Sequence, residues 1–119
     1  MTSLGSTLIL GMGKSGLAVA RYLAALMPLG EVDSVTLYDA ADNEKLRAAA
    51  ATLAEAGVNV VLGCKEVSGH YDLCVASPGI PIGAPLMHSA REAADEVISE
   101  IEFAYRRATV PWVAVTGTN

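Results

Sequence analysis

A short apolar run that stops on a glycine turn and resumes with helical spacing leaves few folds open to a chain. Thr7-Leu8-Ile9-Leu10 ends at Gly11, and from Ser15 onward Leu17, Ala20, Ala24 and Met27 share one helical face until Pro28 and Gly30 interrupt it. The alternation then recurs. Ser34 to Tyr38 reads as a second strand closed by Asp39. Asp42 is placed to cap a helix whose inner face is Leu46, Ala49, Ala50 and Leu53, with Gly57 as its stop. Val58 to Leu62 and Asp72 to Ala76 are further strands. Pro85 suits the first turn of a helix reaching about Ala94, and Val97-Ile98 reads as a short fifth strand. Ser99 and Glu102 have capping-box spacing for a helix through Arg107, and Pro111 precedes a last strand at Trp112 to Val115.

Strands and helices in β-α-β order, with apolar rather than alternating strands, imply a parallel sheet covered on both faces. Right-handed crossovers then favour a Rossmann-like doubly wound α/β sheet of about five strands, whose ligand binds outside the carboxyl ends of the strands where their order reverses. At 119 residues the chain supports one compact domain. With 52% hydrophobic and 18% charged residues it is too apolar for intrinsic disorder. A net charge of −5 without a basic cluster argues against a nucleic-acid partner. Charges and glycines cut every apolar run well short of the roughly twenty residues that span a bilayer. Residues Met1 to Ser6 carry no basic signal-peptide region, so a cytoplasmic location is expected. Cys64 and Cys74 form neither CxxC nor a metal spacing and read as small core residues; their number alone leaves a disulfide between them open. No metal site is expected. His70 and His88 read as surface residues. Glu100 and Glu102 would point about 200° apart on a helix, which disfavours shared acid-base work.

Three strand ends carry the candidate site. Gly11-Met12-Gly13-Lys14-Ser15-Gly16 is G-x-G-x-x-G between a strand and a helix. Gly11 permits the turn, Gly13 admits a phosphate to the backbone amides, and Gly16 lets helix and strand approach. Lys14 and Ser15 add a charge and a hydroxyl at a helix start that favours anions. Asp39, 23 positions after Gly16, stands where dinucleotide folds place an acid that accepts from a ribose or another polar ring. Ser77-Pro78-Gly79-Ile80-Pro81 follows the fourth strand, with Pro78-Gly79 fitting the centre of a type II turn. Finally, Val113 to Asn119 runs from a strand into the opening of a phosphate loop and stops before any lysine, so the chain is expected to be a piece of something longer.

Together these segments, with Ala76-Ser77-Pro78-Gly79-Ile80, Ser99-Glu100-Ile101-Glu102 and Val115-Thr116-Gly117-Thr118-Asn119, resemble the Mur ligases of peptidoglycan synthesis, in particular those that add D-glutamate to UDP-N-acetylmuramoyl-L-alanine. The resemblance covers the chain in order. It implies that residues 1–98 bind the uridine diphosphate end of that substrate and that 99–119 begin a central ATPase domain. Gly13, Lys14 and Ser15 would hold the diphosphate; Asp39, Ala40 and Ala41 would lie at the uracil; Ser77, Pro78 and Gly79 would complete the pocket. Thr116, Gly117, Thr118 and Asn119 would open the ATP loop. The complete enzyme would use ATP and Mg²⁺ to phosphorylate a carboxylate that the D-glutamate amine then attacks. These residues would hold no catalytic group and no bound cofactor, and would be inactive alone and monomeric. Ala40-Ala41 departs from the polar or basic pair frequent in the family at this point.

Two other readings fit parts of the pattern. A nicotinamide-dinucleotide domain of an oxidoreductase or regulator needs only the glycine turn and Asp39, and a Rossmann-like interaction module needs no ligand at all.

Overall fold

The computed structural model describes residues 4–81 and 83–107, with Ser15 and Arg107 described in their backbone. The elements are β1 (Ser6–Leu10), α1 (Lys14–Leu26), a 3-10 turn (Met27–Leu29), β2 (Ser34–Asp39), α2 (Glu44–Glu55), β3 (Asn59–Leu62), β4 (Tyr71–Ala76), α3 (Pro85–Ala93), β5 (Ala94–Ser99) and α4 (Glu100–Arg107). The sheet is five-stranded in the order β3-β2-β1-β4-β5, and every pairing is parallel. The order reverses between β1 and β4. Register brings Leu10 level with Tyr38 on one side and Ala76 on the other, and Ala76 level with Ser99, so the residues after these strands share one carboxyl edge.

The alternation of side chains along each strand divides the core into two layers. Ile9, Val35, Leu37, Leu73, Val75 and Ile98 pack with Leu23 of α1, Leu53 of α2 and Phe103 of α4. Leu8, Leu10, Tyr38, Cys74 and Ala76 pack on the opposite face with Leu86, Met87 and Ala90 of α3. Helices thus cover both faces, as the apolar strands require. Burying a side chain such as Leu23 or Leu37 stabilises the fold by about 2 kcal/mol.

Local chemistry explains where the boundaries fall. The α2 cap is Asn43, whose Oδ1 accepts the Leu46 N–H at 2.9 Å. Asp42, the residue expected to cap, instead takes the Arg47 guanidinium on both oxygens at 2.7 and 3.1 Å, and this pairing holds its carboxyl below the usual carboxylate range. Gly57 ends α2 at φ +95°, as its position predicts. Ser99 Oγ accepts the Glu102 N–H at 3.0 Å, but Glu102 does not complete a capping box; its Oε2 accepts from Arg106 at 2.8 Å. β5 is six residues long rather than a short Val97-Ile98 segment, and it begins directly where α3 stops. It lies at the sheet edge, where exposed Asp95 and Glu96 are tolerated and discourage further pairing.

Candidate functional site

The turn after β1 is shaped by its glycines. Gly11 has φ +94°, and a Cβ there would stand 3.0 Å from Ser77 Cβ and 3.3 Å from Ile80 Cδ1. Its N–H donates to the Tyr38 carbonyl at 2.8 Å. A Cβ on Gly16 would collide with the Gly11 carbonyl, so the third glycine sets how closely α1 follows β1. Gly13 differs from both. It caps α1 with ordinary extended backbone (φ −80°, ψ −176°), and a Cβ on it would meet nothing within 4 Å. No side chain caps α1 and its first turn holds no acid, so the positive end of the helix is available to an anion.

Asp39, at the end of β2, joins two segments. Its Oδ2 accepts the Met12 N–H at 2.8 Å and its Oδ1 accepts the Ala41 N–H at 2.9 Å. One carboxylate thereby fixes the glycine turn against the turn after its own strand, and each oxygen keeps a lone pair for a ligand. Beyond β4, the Ser77 N–H continues the ladder to the Leu10 carbonyl at 3.1 Å, and the Ile80 N–H closes a β-turn on the Ser77 carbonyl at 3.1 Å. Gly79 has no positive φ, which excludes the expected type II turn. Instead the Gly79 N–H donates to Ser77 Oγ at 3.3 Å, drawing that hydroxyl into the turn.

These strand ends enclose one cleft of about 350 Å³ lined by Gly11, Met12, Gly13, Asp39, Ala40, Ser77, Gly79, Ile80, Pro81, Ala84 and Leu86. It lies at the topological switch point between β1 and β4. The structure therefore brings Gly13, Asp39, Ala40, Ser77 and Gly79 together. Ala41 contributes its N–H to Asp39 rather than a cleft wall, and Pro78 is exposed outside the lining. Lys14 is exposed at the first position of α1, also outside the lining; the Ser15 side chain lies outside the described residues. So do Thr116, Gly117, Thr118, Asn119 and the strand expected before them. Sequence reasoning did not assign the apolar wall of Ile80, Pro81, Ala84 and Leu86. Its signal was present in the I-P spacing after the turn and in Pro85 starting α3.

Elsewhere, Cys74 is fully buried in the layer under α3, and burial pushes its thiol up to about 12. Cys64 is half-buried and donates to the Glu66 carbonyl at 3.0 Å; both thiols are free. His88 is exposed, as expected. His70 is exposed too, but the sheet brings it to 3.3 Å from Asp95 and into a surface group with Asp72, a partnership that sequence distance conceals.

Fold and cleft together define a Rossmann-like α/β domain with a glycine-turn cleft at its switch point. Residues 5–99 match the model of the Mur ligase MurD-like N-terminal domain, and the chain belongs to that family. Three relatives are each named UDP-N-acetylmuramoylalanine–D-glutamate ligase. The Synechocystis protein is 37% identical over 93% of this chain and 24% of its own length. The Geobacter metallireducens protein is 40% identical over 94% and 24%, and the Frankia casuarinae protein 44% over 94% and 23%. The chain thus spans about a quarter of the curated relatives it matches. A crystal structure of Thermoplasma acidophilum 1320 superposes with a TM-score of 0.55 at 24% identity, covering 89% of this chain and 57% of that one, a likeness of fold alone. Among the described residues, no helix is long and apolar enough to cross a membrane.

Proposed function

We propose that this chain is the substrate-nucleotide end of a ligase that joins D-glutamate to UDP-N-acetylmuramoyl-L-alanine in peptidoglycan synthesis, with residues 1–98 as the binding domain and 99–119 opening the next. The observation that carries this reading is the convergence of three strand-end turns on one cleft, with open space in front of Gly13. A diphosphate there accepts hydrogen bonds from the amides of Gly13, Lys14 and Ser15 and gains from the α1 dipole. The Lys14 ammonium, one position into the helix, adds a full positive charge in a chain of net −5. The remaining lone pairs of Asp39 take donors of the uracil or ribose. Ala40 and Ala41 offer only backbone groups, so polar recognition on that side falls to Asp39 and the main chain. Ser77 and Gly79 close the pocket, and Ile80, Pro81 and Ala84 give it an apolar wall.

The reading gives ATP and Mg²⁺ to Thr116, Gly117, Thr118, Asn119 and the polypeptide beyond them, and no feature of the cleft depends on either. These residues alone then lack a catalytic group, and the purified 119-residue chain shows no amide-forming turnover. The reading sets the enzyme in the cytoplasm, where a soluble nucleotide-linked substrate is used, and takes it to be a monomer.

Calorimetric titration tests the assignment. Saturable binding of UDP-N-acetylmuramoyl-L-alanine, weakened by Gly13→Val, is the expected result. Binding of NAD alone would transfer the chain to the nicotinamide-dependent class, and no binding of either would leave an interaction module.

A further inference from the structure

Glu100, the first residue of α4, brings a carboxylate to the start of α1. A Cβ on Gly16, the third residue of α1, would stand 3.9 Å from Glu100 Oε2. Strand register produces this meeting. Ser99 ends β5 level with Ala76 of β4, which is level with Leu10 of β1, so the chain leaves both strands at one edge. The Oε2 atom is buried and has no hydrogen-bond partner among the described residues. The acids on either side of it in sequence are held differently. Glu96 takes the Arg106 guanidinium on both oxygens, at 2.9 and 2.7 Å, and Glu102 takes it at 2.8 Å.

A carboxylate oxygen out of reach of water and without a donor keeps its charge unscreened, and its field extends over several ångströms. The positive ends of α1 and α4 are what offset it. Glu100 therefore draws on the same helix dipole that favours an anion at Gly13 and Lys14, and the two compete. The side from which it acts is also defined. Asp39 ends β2, the glycine turn follows β1 and Ser77 follows β4. A nucleoside at Asp39 with its first phosphate at the glycine turn directs its second phosphate toward β4 and β5, where Glu100 stands.

We propose that Glu100 sets the charge selectivity of the cleft: it disfavours a nucleoside diphosphate whose terminal phosphate is free and admits one whose terminal phosphate is esterified, as in a nucleotide-linked sugar. A free terminal phosphate ionises a second time with a pKa of about 6, which brings one more negative charge up to a carboxylate that has no counterion of its own. Esterification removes that ionisation. The inference rests on the reading of the cleft as a uridine diphosphate site and adds what discriminates among ligands of that class.

Calorimetry at about pH 8, where the second ionisation is complete, tests it with UDP and its β-methyl ester on the 119-residue chain. The unsubstituted chain binds the ester about fivefold more tightly than UDP, the effect of one like charge at partly screened range. Glu100→Gln keeps the shape and removes the charge; it tightens UDP by a similar factor and abolishes or reverses the preference. Glu102→Gln removes a charge that Arg106 already neutralises and keeps the preference. A purely structural role for Glu100 would instead weaken both ligands together in Glu100→Gln, and that result would overturn the proposal. Equal affinity of the unsubstituted chain for the two ligands would overturn it as well, whether or not Glu100→Gln folds. Failure of the uridine reading looks different: inorganic pyrophosphate then binds as well as UDP, and its tightening by Glu100→Gln still decides the charge effect. No binding of any of these anions would overturn both.

Discussion

Asp39 and Asp72 perform the same local task at opposite ends of the sheet. Asp39, at the carboxyl edge, accepts from the Met12 and Ala41 amides. Asp72, near the amino end of β4, accepts the Ser6 N–H at 2.9 Å and its hydroxyl at 3.2 Å, both on Oδ2. Each ties its strand to β1. Around Asp39 the neighbours are glycines, an uncapped helix start and an apolar wall, which together leave a concave space. Around Asp72 they are exposed side chains, among them His70 and Asp95. An aspartate clamp is therefore an ordinary part of sheet construction. The glycine turn and the missing cap are what make one end of the sheet receptive to an anion.

Substitutions separate the two ends in stability and binding. The largest effect is expected at Gly16, where a Cβ meets the Gly11 carbonyl, backbone against backbone. Gly16→Ala should lose about 3 kcal/mol or more, read as a lower urea midpoint. An unchanged midpoint would mean that α1 does not pack as described.

Next come the aspartates themselves. Asp39→Ala leaves two amides without their charged acceptor and should cost about 2 kcal/mol, together with most of the affinity for UDP-N-acetylmuramoyl-L-alanine. Asp72→Ala removes exposed hydrogen bonds worth about 1 kcal/mol and should leave that affinity unchanged. Equal loss of binding in both variants would erase the distinction between the ends.

Cys74 provides a control within the core. Burial raises its thiol from 9.0 to about 12, so the unfolded chain ionises first and stability falls as pH rises between those values. The slope reaches at most about 1.4 kcal/mol per pH unit. The destabilisation caused by Cys74→Ala should accordingly shrink above pH 9.0, the ordinary value; a gap that stays constant in urea melts would place Cys74 in water. The smallest effect is a gain. Thr7 Oγ1 is buried without a hydrogen-bond partner, and Thr7→Val should stabilise by about 1 kcal/mol. A loss of similar size would reveal a partner for the hydroxyl.

How far these features were legible from sequence depends on how local their causes are. The strand-helix alternation was readable because each element carries its own apolar period, and the glycine turn because Gly11 and Gly16 answer local steric demands, which Gly13 does not. β5 was underestimated because Asp95 and Glu96 disfavour a strand by composition; only pairing with β4 makes them one. Asp42 and Asn43 are equally good caps on paper, and the bidentate grip of Arg47 on Asp42 leaves the cap to Asn43. The three loops of the cleft are visible in their own local sequence, yet the bond from Asp39 to Met12 spans 27 positions and belongs to the fold. The apolar wall likewise exists only once α3 is set against the turn after β4.

The most direct measurement is an amide chemical-shift map of the 119-residue chain titrated with UDP-N-acetylmuramoyl-L-alanine. Shifts concentrated at Met12, Gly13, Lys14, Ala41, Ser77 and Gly79, with the His70 and Asp95 end silent, are predicted. Saturable shifts at that opposite end, with the glycine turn unmoved, would contradict the assignment of the nucleotide to the carboxyl edge.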